Sequence, residues 1–135
     1  MNVKQTKAIR TKQPWPTKAA MEQVYALKLW GENDSDFYSG DGSHRHDIVE
    51  PYINALRSFL TSFESPLVVC DLGCGDFNVG KQLVQFTKKY MAVDIVSDLI
   101  ERNKQKFTDD KLEFHCLDVA VHDIPSGDCA IVRQV

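Results

Sequence analysis

Apolar residues in this chain come in short blocks, and the spacing inside each block predicts its structure. From Thr17 to Trp30, the residues Ala20, Val24, Leu27 and Trp30 recur at helical intervals, with Thr17 placed to cap the helix and Gly31 to end it. Such a helix is expected to serve packing. From Asp47 to Phe63, the stripe Ile53, Leu56, Leu60 and Phe63, with Tyr52 and Phe59 beside it, predicts a second helix. Pro51 fits the first turn of its regular part, because further in it would remove a hydrogen bond. Ser65-Pro66 then breaks the helical pattern.

The later blocks are shorter. Pro66 to Asp71, Tyr90 to Asp94, Leu112 to Leu117 and Cys129 to Val132 read as strands. Val79, Leu83, Val84 and Phe86 predict a helix reaching Lys89, and Leu99 and Ile100, capped by Ser97, predict another reaching Phe107. The order strand, helix, strand, helix, strand, short link, strand implies right-handed crossovers and an α/β fold. It is a parallel sheet flanked by helices and preceded by N-terminal helices. Apolar runs without alternation suit strands buried on both faces.

One long stretch has no apolar period. Gly31 to His46 is polar and punctuated by glycines, and loops of that length in compact domains are often lids or binding loops. Phe37 and Tyr38 give it something to bury when closed. His44 and His46 have no clear third ligand, so a loop-fixing hydrogen bond or solvent suits them better than a metal.

The 135 residues suffice for one domain. The net charge of −3 favours no partner by itself, but it is unevenly spread: the first 21 residues carry +5, from Lys4, Lys7, Arg10, Lys12 and Lys18, and the rest carries −8. Residues 1–16 read as a disordered basic tail, with an anionic partner such as RNA, or organelle targeting, as alternative uses. Residues 17–135 are expected to fold. No apolar run approaches the roughly 20 residues that span a bilayer, and no secretory segment stands out. The expected setting is therefore cytoplasmic, with no membrane partner. Cys70, Cys74, Cys116 and Cys129 accordingly read as buried thiols, neither a disulfide frame nor a zinc site.

Chemistry concentrates where the first strand ends. Val69-Cys-Asp-Leu-Gly-Cys-Gly-Asp-Phe-Asn78 runs from strand through two glycines, Gly73 and Gly75, toward a predicted helix, which is how an open parallel sheet makes a nucleotide site. Asp71, Asp94 and Asp118 stand at the ends of three strands and so share one sheet edge. Asp94 follows Gly75 at the distance of a ribose-binding acid. A dinucleotide turn would want a third glycine where Asn78 stands, and Asp71 would repel a pyrophosphate. A ligand with a ribose and a cationic amino-acid end suits these residues better.

Val69-Cys-Asp-Leu-Gly-Cys-Gly-Asp76 also resembles the first motif of class I S-adenosylmethionine-dependent methyltransferases, and the resemblance covers about residues 45–135. It implies a Rossmann-like sheet in the order 3-2-1-4, S-adenosylmethionine as cofactor, and methyl transfer to an acceptor that the sequence does not identify. It further implies that Gly73 and Gly75 admit the ligand, that Asp71 orients its methionine end, that Asp94 binds the ribose, and that Asp118 with Val119 meets the adenine. It names no catalytic base. Asp128 to Val135 resembles the fourth-strand motif that borders the methyl group. Its Arg-Gln-Val ending lacks the Asn/Asp-Pro-Pro-aromatic signature of amino methylation on DNA bases.

Two departures from the family pattern shape the expectation. Phe77 stands where a glycine is frequent, and should narrow the turn and touch the methionine end. Family domains usually have seven strands, whereas four are legible here. The chain thus reads as truncated after the fourth strand, whose open edge predicts association, for instance between copies. The alternative function is a cofactor-binding but catalytically incomplete module that needs a partner chain.

Overall fold

The computed structural model describes residues 17–32 and 36–133. The basic tail therefore lies outside the described residues. The elements are α1 (Thr17–Ala26), α2 (His46–Leu60), β1 (Val68–Leu72), β2 (Lys89–Asp94), α3 (Ser97–Lys106), β3 (Leu112–Cys116) and β4 (Cys129–Val132). The four strands form one parallel sheet, as the sequence pattern predicts, in the order β3-β2-β1-β4 that the family resemblance implies. Asp128 fixes the register of β4. Its carboxylate accepts the Val68 N–H at 2.8 Å, and its own N–H donates to the Val68 carbonyl.

Strand alternation divides the core between the two faces of the sheet. Val69, Tyr90, Ala92 and Ile131 pack with Leu60, Phe77, Leu83 and Val84 on one face, and Cys70, Leu72, Met91 and Val93 lie on the other. Burial on both faces holds for β1 and β2 but not for the outer strands. Glu113 and Cys116 of β3 and Ala130 and Val132 of β4 are exposed, because each outer strand has a neighbour on one side only. The four cysteines are free thiols, and exposed Cys116 departs from the buried reading.

The structure ends α2 at Leu60, leaving Phe63 of the predicted stripe beyond the helix and exposed, and it departs from the expected helices in three further places. First, α1 ends at Ala26, short of Trp30. Lys28 takes a left-handed φ of 53°, and Leu29 N–H bonds the Val24 carbonyl while Lys28 N–H bonds that of Tyr25. This is a Schellman ending with lysine where glycine is usual. Leu27 and Trp30 leave the expected stripe and are exposed, and Tyr25 is the buried residue. Second, Pro51 lies inside α2, beyond the first turn, since the helix already begins at His46.

Third, no α-helix follows the glycine turn. Gly80–Gln82 and Val84–Phe86 are separate 3-10 turns. The cause is Phe77, whose φ of 68° sends its ring into the core. Gly80 lies so close beneath that ring that a Cβ there would be 2.5 Å from the Phe77 Cε1. The segment is drawn against the sheet and closes with i→i−3 bonds, Leu83 to Gly80 and Phe86 to Leu83 among them. Among the described residues, no helix is long and apolar enough to cross a membrane.

Candidate cofactor cleft

Parallel pairing brings the carboxyl ends of the strands to one edge, and the turn after β1 closes over that edge. Gly73, Gly75 and Phe77 all have positive φ, so the chain coils tightly between Leu72 and Asn78. Every backbone N–H in this coil is used internally. Gly73 and Cys74 donate to the Val93 carbonyl, Gly75 to Asp94 Oδ2, Asp76 to Ser39 Oγ, Phe77 to the Cys74 carbonyl and Asn78 to Asp76 Oδ1. The turn presents no unpaired amides, and no helix begins at it.

Asp94 is the bracket between the strand and the helix after it. One carboxylate oxygen accepts the Gly75 N–H at 3.0 Å and the other the Val96 N–H at 3.1 Å. This bond replaces the predicted Ser97 cap, since Val96 is the N-cap residue and makes no side-chain capping bond. Burial pushes the Asp94 carboxyl up, and the backbone bonds from Val96, Gly75 and Ile95 oppose that shift. Fully buried Asn103 on α3 holds the turn from beneath, donating to the Gly75 carbonyl at 2.9 Å, and Arg102 donates to that of Asp76.

The polar loop before α2 closes the site from above. Ser39 N–H donates to Asp76 Oδ2 at 2.9 Å, Ser39 Oγ lies 2.9 Å from the Tyr25 hydroxyl, and His44 Nε2 lies 2.5 Å from Asp76 Oδ2. Asn78 Nδ2 donates to the Ser43 carbonyl and Arg133 Nη2 to that of Gly42. His44 thus takes the loop-fixing bond, and exposed His46 pairs with Glu50 instead. Among the described residues no cluster of His, Cys, Asp or Glu is arranged to hold a metal ion.

Between sheet edge, loop and α1 lies a cleft of about 650 Å³. Five of the six expected residues line it: Gly73, Gly75, Asp94, Asp118 and Val119. Asp118 folds back locally, accepting the Ala120 N–H, while Val119 is exposed to the cleft. Asp71 does not line the cleft. It lies in an adjoining recess of about 40 Å³ and accepts the Tyr90 hydroxyl at 2.6 Å. Ser43, Gly73, Cys74 and Arg133 line both spaces and so join them.

Phe77 is the correction at this site. Its ring faces away from both spaces, against Tyr90, Phe107 and Phe114, and is 1% exposed. It shapes the turn without meeting a ligand. The sequence reading also missed Met21 and Tyr25, which give α1 a wall of the cleft in addition to its packing role.

The titratable groups here do not offer an obvious base. Burial pushes the Tyr25 and Tyr90 hydroxyls and the Cys74 thiol up, keeping them protonated. Burial also raises Asp71 to about 6, against the lowering effect of the Tyr90 bond and with a further raise from Asp94. A carboxyl that holds its proton more tightly in the fold makes stability fall as pH rises from its ordinary range through 6. Asp71→Asn should therefore gain on wild type with increasing pH, by at most about 3 kcal/mol above pH 7. Urea midpoints of the two proteins at pH 4.5 and 7.5 measure this, and a constant difference would contradict it.

Neither a protein-family model nor a curated protein sequence matches the chain. Solved structures do. Magnesium protoporphyrin IX methyltransferase from Synechocystis PCC 6803 with bound SAM superposes with a TM-score of 0.57 at 17% identity, over 84% of this chain and 60% of that one. The same enzyme with bound SAH gives 0.55 at 16%, over 78% and 53%. Coclaurine N-methyltransferase bound to N-methylheliamine and SAH gives 0.50 at 13%, over 93% and 44%. The fold is that of the class I S-adenosylmethionine-dependent methyltransferases. The chain spans 60% or less of the length of these methyltransferases. At these identities the likeness describes the Rossmann-like fold and leaves acceptor and activity open.

Proposed function

We propose that the cleft binds S-adenosylmethionine and that the chain serves methyl transfer to an acceptor. The observation that carries this reading is the fully engaged turn. A diphosphate ligand needs unpaired amides and a helix N-terminus at the glycines, and neither is offered. The cleft instead offers carboxylate acceptors, Asp94 and Asp118 in its lining and Asp71 in the adjoining recess. Carboxylates accept from hydroxyls and amino groups and attract a cation. They suit a ribose, an adenine amine and a sulfonium or ammonium. In this reading Asp94 takes the ribose, Asp118 and Val119 the adenine, and Asp71 the ammonium of the amino-acid end.

When bound, the sulfonium supplies an activated methyl group. The protein's part is position and desolvation, which matter most where the electrophile is already reactive. Gly73 admits the ligand close to the backbone. The loop from Ser39 to Ser43 excludes water on the far side, and Tyr25 holds that loop through Ser39.

Calorimetric titration with S-adenosylhomocysteine tests the assignment. Wild type should bind, and Asp94→Ala should bind roughly tenfold to a hundredfold more weakly through loss of a charge-assisted hydrogen bond. No heat with wild type would overturn the reading.

Binding without turnover by this chain alone is a second reading. It is supported by coverage, since the chain spans 60% or less of the methyltransferases on which it superposes. Transfer of label from the cofactor by the purified chain would exclude that reading.

A further inference from the structure

Arg133 has no assigned role in the proposal above, yet it occupies the junction of the two spaces. It follows β4, lines both the cleft and the Asp71 recess, and is half-buried. Its guanidinium lies 4.8 Å from the centre of the Tyr52 ring, and Nη2 donates to the Gly42 carbonyl at 2.6 Å. These contacts fix its plane and use one of its five N–H donors. Among the described residues no carboxylate pairs with it, although such a pairing is the usual state of an arginine withdrawn from water.

The surroundings give that vacancy a direction. The other charged side chains lining the cleft are Asp41, Asp94 and Asp118, so Arg133 is the single cationic one among the described residues. An anionic group would be repelled along the sheet edge and attracted only here. Asp71 lines the same small recess as Arg133 and Tyr52, and the two charges act on the Tyr52 hydroxyl in opposite directions. A recess lined by both a carboxylate and a guanidinium is complementary to a group carrying both charges.

We propose that Arg133 is the carboxylate subsite of the cleft, holding the carboxylate of an amino-acid zwitterion whose ammonium faces Asp71. The planar fork suits two parallel bonds to a carboxylate, and its stacking on Tyr52 removes most of the freedom that binding would otherwise have to freeze. The inference rests on the cofactor reading, because the zwitterion is the methionine end of S-adenosylmethionine. It adds that this end, and not only the adenosine, decides affinity.

The test compares S-adenosylmethionine with its decarboxylated form, which keeps the ammonium and loses only the carboxylate. Wild type should prefer the intact ligand by roughly tenfold to a hundredfold. Arg133→Met should bind both alike, and Arg133→Lys should restore part of the preference. A residue that merely anchors the loop through Gly42 would weaken both ligands equally, so an unchanged preference in Arg133→Met overturns the proposal. Wild type that binds both ligands equally well overturns it too, and leaves the cofactor reading intact. Wild type that binds neither removes the cofactor reading itself.

Discussion

Phe77→Ala is expected to lower the unfolding free energy by roughly 3–5 kcal/mol, read as a shift of the urea midpoint. The ring is buried and meets three others edge-on, with centroids 5.8 Å from Tyr90, 5.2 Å from Phe107 and 4.9 Å from Phe114. It also supports Gly80 and, with it, the compact path between β1 and β2. No neighbour can close the space, because the surrounding residues belong to separate elements of the sheet and its crossover. Phe77→Gly separates packing from backbone strain. A left-handed φ costs a side-chain-bearing residue about 1–2 kcal/mol, so the glycine variant should be no less stable than the alanine one, against the usual order. A loss below about 1 kcal/mol in Phe77→Ala would mean that the ring is not the keystone of this face.

Gly75→Ala should have the second largest effect, and it should fall on the loop rather than the core. A Cβ at this position would lie 2.5 Å from Ser39 Oγ and 3.2 Å from Ser39 Cβ, at a φ of 56°. Ser39 cannot rotate away cheaply, since its hydroxyl accepts the Asp76 N–H and contacts Tyr25, and its own N–H is bound to Asp76. The loop is expected to lift from the turn. Hydrogen exchange at the Ser39 and Asp76 amides should accelerate, and S-adenosylhomocysteine should bind at least roughly tenfold more weakly. Unchanged exchange at both amides would show that the turn, not the loop, absorbs the methyl group.

Much of this was legible in the sequence, for physical reasons. The inner strands are continuous apolar runs that give way to an acid near their carboxyl ends: Asp94 is the last residue of β2, and Asp71 lies one residue inside the end of β1. Asp118 likewise follows the outer strand β3. The strand order came from the family resemblance and not from these runs. What was not legible depended on conformations that the residue type argues against. Lysine at a left-handed helix end and phenylalanine at a left-handed turn position each moved an element, shortening α1 and replacing the helix after the turn. Val79, Leu83, Val84 and Phe86 satisfy a helical period, but successive 3-10 turns bury Leu83 and Val84 equally well. At the site, the acids carried a positional signal. Ser39, Asn103 and Arg133 did not, because a hydrogen bond across tens of residues has no spacing to read.

The Asp76 side chain, 3% exposed, has a kinetic consequence for whatever enters the cleft. Lifting the loop takes both Ser39 and His44 from a carboxylate that water cannot readily reach, which is a costly state to populate. The closed arrangement is therefore the resting one, already ordered before any ligand arrives. Association then bears little of the penalty of folding a lid, and affinity is not divided by a small competent fraction. The same pre-organisation slows departure wherever the loop must open to let the ligand out, so residence time, more than encounter, becomes the quantity that loop mutations should tune.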